Sequence, residues 1–129
     1  HAGRRGLAAG VVVAALERMA SRGSAPERVR AAVGPAVCGR CYEVPEDLRH
    51  EVDDVVPGTA STTSWGTPAL DLRAGVRSQL RAAGVTAVVD LGACTLEDPR
   101  FFSHRATSAT GSGRTRPAGR FAGVVRVVG

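Results

Sequence analysis

A chain of 129 residues and 13.3 kDa has room for one domain, or part of one, and excludes a multidomain machine. Apolar residues make up 43% and charged residues 22%, enough for a real core and ordinary for a soluble protein. The net charge is +5, with 17 Arg against 12 acidic residues; Lys, Asn and Ile are absent. That bias toward Ala, Arg, Gly and Val reads as GC-rich coding, so a pI near 10.4 is weak evidence for a nucleic-acid partner.

Residues 1–6, HAGRRG, form a small-residue turn with two Arg. Residues 7–20, LAAGVVVAALERMA, predict one helix, apolar almost all round and therefore buried. Gly10 inside it costs roughly 1 kcal/mol relative to Ala, which close packing would justify. Gly23 is placed to cap that helix. Residues 29–33 predict a strand, closed by Gly34-Pro35. Residues 36–44, AVCGRCYEV, read as a loop with two Cys and the sole Tyr. Pro45, Glu46 and Asp47 open a second helix running to about Val56, stopped by Pro57-Gly58.

Residues 59–68 read as a polar loop carrying Trp65. Residues 70–83 predict a helix, with Leu72, Val76 and Leu80 spaced four apart and Gly84 at its C-cap. Residues 85–91, VTAVVDL, predict an interior strand, completing an αβ unit. Residues 103–120 form an Arg-rich loop with Arg105, Arg114, Arg116 and Arg120, long for a compact domain. Residues 121–128 predict a closing strand. The order is α-β-α-α-β-β and the fold class mixed α/β.

Several residues invite chemistry. His1 precedes a Gly-rich turn at a helix start, where backbone N–H groups, Arg4 and Arg5 suit an anion. A His there can bind a metal or transfer a proton, or be a terminal residue with no role. Cys38-Gly-Arg-Cys41 is a C-x2-C spacing. With only Cys94 left, an all-cysteine zinc site is excluded. A redox pair with a thiol pKa lowered by Arg40, or two ordinary cysteines, remain open. Three Cys at this density do not build a disulfide-stapled secreted fold. Asp71, Asp90, Glu97, Asp98 and Glu43 can supply acid or base, and Glu43, beside Tyr42 and Cys41, is the most interesting. No stretch reaches the ~18 apolar residues of a membrane span, and no signal-peptide pattern is present, so the expected compartment is the cytoplasm. The Arg-rich loop lacks interleaved aromatics, which disfavours base stacking.

Five strings occur in one order: HAGRRGLAAGVV (1–12), AAVGPAVCGRCYEV (31–44), LDLRAGVRSQL (70–80), LGACTLEDPRFFSHRA (91–106) and GRFAGVVRVV (119–128). Together they resemble the laccase-domain family, also called the YfiH or "multicopper polyphenol oxidase" family. The resemblance covers nearly the whole chain. It implies a mixed β-sheet flanked by helices, with residues 1–129 the C-terminal half of a single domain. It implies a purine nucleoside phosphorylase with adenosine deaminase side activity, acting on purine nucleoside and phosphate. In that family a metal, zinc in most descriptions, sits on two His and one Cys. His1 matches the last ligand. The other two belong to a His-Gly and an Asp-Cys string that do not occur here. The chain alone is therefore expected to be inactive.

Arg5 and Arg105 are assigned to phosphate, Arg105 also to catalysis, and Glu43 to a base or ribose contact. The sequence departs from the family pattern at Arg4 (usually Trp), Val76 (often Asn), His104 (commonly Tyr) and Ala106 (a second Arg). The alternatives are a copper-dependent polyphenol oxidase, a peptidoglycan-editing hydrolase and a non-enzymatic basic module. The first needs multiple His-x-His pairs that the sequence does not contain.

Overall fold

The computed structural model describes residues 1–108 and 116–126. Its elements are helix α1 (Arg4–Ala8), helix α2 (Val11–Ala20), a 3-10 turn (Pro26–Arg28), strand β1 (Arg30–Val33) and helix α3 (Glu46–Val55). Strands β2 (Ala60–Thr62) and β3 (Pro68–Leu70), helix α4 (Leu72–Ala82), strand β4 (Ala87–Asp90) and helix α5 (His104–Ser108) follow. The mixed α/β class expected from the sequence is the one found. β1 and β4 pair in parallel, Arg30 opposite Ala87 and Val33 opposite Asp90, while β2 and β3 form an antiparallel pair.

The single helix expected over 7–20 is two. Gly10 adopts φ 76°, a left-handed conformation that ends α1 and lets α2 start in a new direction. The expected burial all round also fails, because α2 buries Leu16 and leaves Val11, Val13 and Met19 exposed. The polar loop expected over 59–68 contains the β2–β3 hairpin, whose three-residue strands are too short for a periodic pattern. β4 is not an interior strand. Its sheet has two strands among the described residues, and Val89 is 60% exposed. The closing strand expected over 121–128 is not formed over 121–126. Among the described residues no strand pairs with that segment, and Val124 and Val125 are 94% exposed. Residues 127 and 128 lie outside the described residues. The stretch 103–120 holds α5 at its start, and Arg114 in it lies outside the described residues.

Two apolar clusters hold the elements together. Leu7, Val44, Val52, Val56, Leu70 and Leu72 form one, and Leu16, Val33, Leu80 and Val85 the other. Val12 and Val76 pack against both, joining α2 and α4 across the boundary. Helix α4 is fixed at its start by Asp71, whose carboxylate accepts the Ala74 N–H at 2.9 Å. Further along, Arg73 and Arg77 both reach Asp90 at the end of β4.

The tightest point lies on α4 at Gly75. A Cβ there would stand 2.5 Å from Thr59 Cγ2, 2.8 Å from Leu7 Cδ2 and 3.2 Å from Val56 Cγ1. Thr59 and Leu7 are fully buried, and Thr59 is β-branched and stiff. Thr59 is held in turn by Asp53, whose carboxylate accepts the backbone N–H groups of Thr59 and Ala60 at 2.8 Å. Those bonds, the Ala60 N–H foremost, keep the Asp53 carboxyl below the usual carboxylate range.

Two outcomes follow for the full-length protein. Gly75→Ala gains about 1 kcal/mol of helix propensity but overpacks a stiff site at a cost of about 1–3 kcal/mol. Denaturant unfolding should therefore show a lower midpoint, and a raised one would contradict the packing described. Because Asp53 is depressed on folding, its stabilisation is fully present above the ordinary carboxylate pKa and lost as pH falls through the folded value. Asp53→Ala should cost about 1–2 kcal/mol near neutral pH. It should also flatten the loss of stability on acidification, as read by urea midpoints across the acid range.

Candidate functional site

Leu7 seats α1 in the core, and Gln79 Nε2 on α4 donates to the Leu7 carbonyl at 3.1 Å. This fixes the residues just before Leu7. His1, Gly3, Arg4, Arg5, Gly6 and Tyr42 line an open cleft of about 420 Å³. The exposed imidazole of His1 lies over Gly3, where a Cβ would come within 2.8 Å of Nε2. Gly3 thus leaves the space the ring occupies. Helix α1 has only five residues, so the positive character of the cleft rests on the two guanidinium groups and not on a helix dipole.

Tyr42 enters from the loop after β1. Its carbonyl accepts the Leu70 N–H at 3.1 Å, and Tyr42 packs against the first apolar cluster. Arg105, on α5, places its guanidinium over the Tyr42 ring, 4.6 Å from the centroid. The structure therefore groups His1 and Arg5 directly in the cleft and brings Arg105 to it through Tyr42. Glu43 does not line the cleft. It pairs with Ala69 of β3 through a bridge, and its carboxylate accepts the Trp65 Nε1–H at 3.1 Å on the exposed side. Tyr42 was not singled out as a site residue from the sequence, and Arg4 was noted only beside Arg5 as a charge suited to an anion. The signal for Tyr42 was its place beside Glu43 as the only Tyr.

His1 also borders an apolar groove of about 320 Å³, lined by Val12, Leu16, Val33, Val76 and Leu80 among others. The imidazole thus stands between an Arg-bearing wall and an apolar one. As a metal ligand it is a single donor, since no other His or Cys lines the cleft. It fits a site that takes further ligands from outside these residues.

A second cluster forms where β1 and β4 end. Ala36 and Cys94 pair as an isolated parallel bridge beyond the ends of the two strands. Cys38, Cys41, Cys94 and Glu97 gather there, their donor atoms within 4.8 Å of one another. The three thiols are free and buried. Arg40 is exposed, and the Cys41 thiol is pushed up, by burial first and then by Cys38, Cys94 and Glu97. The expectation that Arg40 lowers a thiol pKa in this pair is therefore corrected for Cys41. Burial opposes ionisation of Cys94 as well. There the N–H groups of Cys38, Glu97 and Leu96 outweigh it and hold that thiol below its usual value. The three cysteines are one donor short of a tetrahedral site, and the carboxylate of Glu97 stands as a fourth. The sequence carried the signal, since Cys94-x2-Glu97 repeats the spacing of Cys38-x2-Cys41.

The Arg residues of the 103–120 stretch that are described turn inward in two cases. Arg105 stacks on Tyr42, and Arg116 Nη1 donates to the carbonyls of Thr95 and Asp98 at 3.2 Å.

Residues 1–127 match the family described as Multi-copper polyphenol oxidoreductase laccase. The chain is 55% identical over 125 residues to Purine nucleoside phosphorylase ORF3 of Streptomyces griseus, an alignment covering 97% of this chain and 48% of that protein. It is 35% identical over 136 residues to Adenosine deaminase RL5 of an unknown prokaryotic organism, covering 98% and 48%. Among solved structures, YlmD from Geobacillus stearothermophilus is similar with a TM-score of 0.71 and 34% identity, over 81% of this chain and 42% of that one. The chain spans about half the length of the curated relatives it matches.

Proposed function

The chain belongs to the multi-copper polyphenol oxidoreductase laccase family, and from that premise we propose that it supplies the phosphate-side wall of a metal-dependent purine nucleoside phosphorylase. The observation that carries this reading is the convergence of His1, Arg4, Arg5 and Tyr42 on one cleft, with Arg105 stacked on Tyr42. The names of relatives described above, a purine nucleoside phosphorylase and an adenosine deaminase, support a nucleoside substrate.

Phosphorolysis breaks the glycosidic bond while a phosphate oxygen attacks C1′, through a transition state with positive charge on the sugar. Arg5 and Arg105 hold the phosphate by charge-assisted hydrogen bonds and orient one oxygen toward the sugar. Tyr42, clamped by Arg105 and by its backbone, keeps the cleft wall rigid and offers a hydroxyl to the bound anion. Glu43, held outside the cleft by Trp65, would have to turn inward to contact ribose or to relay the proton of the attacking phosphate to the departing purine. The apolar groove on the far side of His1 suits a purine face.

His1 would be one ligand of a zinc ion, with a His and a Cys that the family pattern places in strings this sequence does not contain. Bound there, zinc would supply a Lewis acid. Adenosine deaminase side activity, the function one relative is named for, would need the adenine C6 at the reacting position of the same cleft, where water adds and ammonia leaves. The 129-residue chain alone is inactive in this reading, because one donor does not hold the ion.

No helix among the described residues is long and apolar enough to cross a membrane. A cytoplasmic location fits the proposed substrates. The copper oxidase reading is less favoured. The three His do not converge among the described residues, and His50 sits on α3 against Glu46 at 2.7 Å. The basic-module reading is weakened by the inward contacts of Arg105 and Arg116. Nothing in the cleft favours a peptidoglycan substrate over a nucleoside.

In the full-length protein, Arg5→Ala and Arg105→Ala should each raise the phosphate KM by roughly 10–100-fold, the value of one lost charge-assisted bond, with a smaller change for nucleoside. His1→Ala should abolish metal-dependent turnover. Unchanged phosphate KM in both Arg variants, or unchanged metal content and rate in His1→Ala, contradicts the assignment.

A further inference from the structure

The cluster at the ends of β1 and β4 is not used by the reaction above. We propose that Cys38, Cys41, Cys94 and Glu97 form a structural zinc site, distinct from the His1 cleft, that staples the loop after β1 to the loop after β4.

The donor set and its spacing suit that ion. Zinc binds thiolate at about 2.3 Å and carboxylate at about 2.0–2.2 Å in a tetrahedron, and structural sites are closed by four protein donors. Such a tetrahedron puts its donors roughly 3.5–3.8 Å apart. The four atoms already lie within 4.8 Å of one another with no ion to draw them in, so closure needs only small side-chain rotations. Three thiolates select a soft or borderline metal over calcium or magnesium.

Hydrogen bonds already link the donors of the two loops. The Cys38 N–H donates to Cys94 Sγ at 3.4 Å, and Cys41 Sγ donates to Glu97 Oε1 at 3.5 Å. The tight turn is closed by the Cys41 and Tyr42 N–H groups on the Cys38 carbonyl, at 2.9 and 3.0 Å. Gly39 within it has no room for a side chain, since a Cβ would stand 2.7 Å from Ser61 Oγ and 2.8 Å from Asp71 Cβ. On the other strand, the Asp98 N–H donates to the Cys94 carbonyl at 2.9 Å, and Arg116 clasps the carbonyls of Thr95 and Asp98. Backbone and side-chain bonds of this kind fix ligand orientation around a metal. Binding displaces the thiol protons, and the divalent charge offsets half of the four negative charges gathered.

A redox pair explains less. Oxidation of Cys38 and Cys41 to a disulfide leaves a third buried thiol and a carboxylate aimed into the same space. The staple also has structural work to do. The β1–β4 sheet has four paired residues per strand, and the cluster joins positions 56 residues apart at its open end. Tyr42 of the cleft directly follows Cys41, so the site holds the cleft wall from behind.

The test is zinc content and zinc-edge X-ray absorption on the full-length protein, purified without added metal, in wild type and in His1→Ala, Cys94→Ser and Glu97→Gln variants. His1→Ala should retain one zinc per chain with three sulfurs and one oxygen in its shell. Cys94→Ser should lose that equivalent, and Glu97→Gln should weaken it at least tenfold in chelator competition. Should Cys94→Ser fail to fold, the three-sulfur shell in His1→Ala decides the matter. A shell with one sulfur or none, no zinc in His1→Ala, or a Cys38–Cys41 disulfide in protein prepared anaerobically overturns the proposal. None of these outcomes depends on phosphorolysis, so the site can stand or fall separately from the proposed function.

Discussion

The contact of Leu7 with Gly75 governs the rest. Leu7 is the only buried residue of α1, and a fully buried Leu contributes about 1.5–3 kcal/mol, enough to seat a five-residue helix that has little stability of its own. It can sit that deep because α4 presents a bare glycine, with Thr59 and Val56 on the other side of the same gap. Gln79, one turn further along α4, accounts for the Leu7 carbonyl. Residues 1–6 therefore hang from a rigid point, and the direction of His1, Arg4 and Arg5 is set by the core and not by their own preferences.

The opposite wall of the cleft is fixed by different means. Tyr42 leaves a turn bounded by Cys38 and Cys41, which is tied to the loop of Cys94 and Glu97, and it is covered by Arg105 from α5. The cleft thus lies between a hydrophobic anchor and a polar cluster. Each wall draws on segments far apart in sequence: residues 7 and 75 on one side, residues 42 and 105 on the other. Such a site is positioned by tertiary contacts, which is why it can be rigid while open to solvent.

Much of the fold was legible in the sequence. Pro45-Glu46-Asp47 and Pro57-Gly58 delimited α3, and Leu72, Val76, Leu80 and Gly84 marked α4, because helix signals there are local and strong. Gly10 was legible as a weakness in a helix but not as its end; only the need to turn α2 against α4 selects the left-handed conformation. The β2–β3 hairpin was hidden because three-residue strands carry too little alternation. The strand expected at the C-terminal end lacks a neighbour among the described residues, and strand propensity alone does not supply one. Of the site, His1, Arg5 and Arg105 were singled out from the sequence and the structure gathers them around Tyr42. Glu43 was singled out too, yet its carboxylate is turned to Trp65. Glu97 was missed as a donor because the x2 spacing of Cys94 and Glu97, like that of Cys38 and Cys41, points to a shared site only once the fold brings the two pairs together.

The proposed function requires that this cleft hold phosphate as the attacking group. The most direct measurement is to give the full-length protein inosine with 18O-labelled phosphate and identify the sugar product by mass spectrometry. The account predicts ribose 1-phosphate carrying the label, formed together with free base. Free ribose, or base release that proceeds equally well without phosphate, would contradict it.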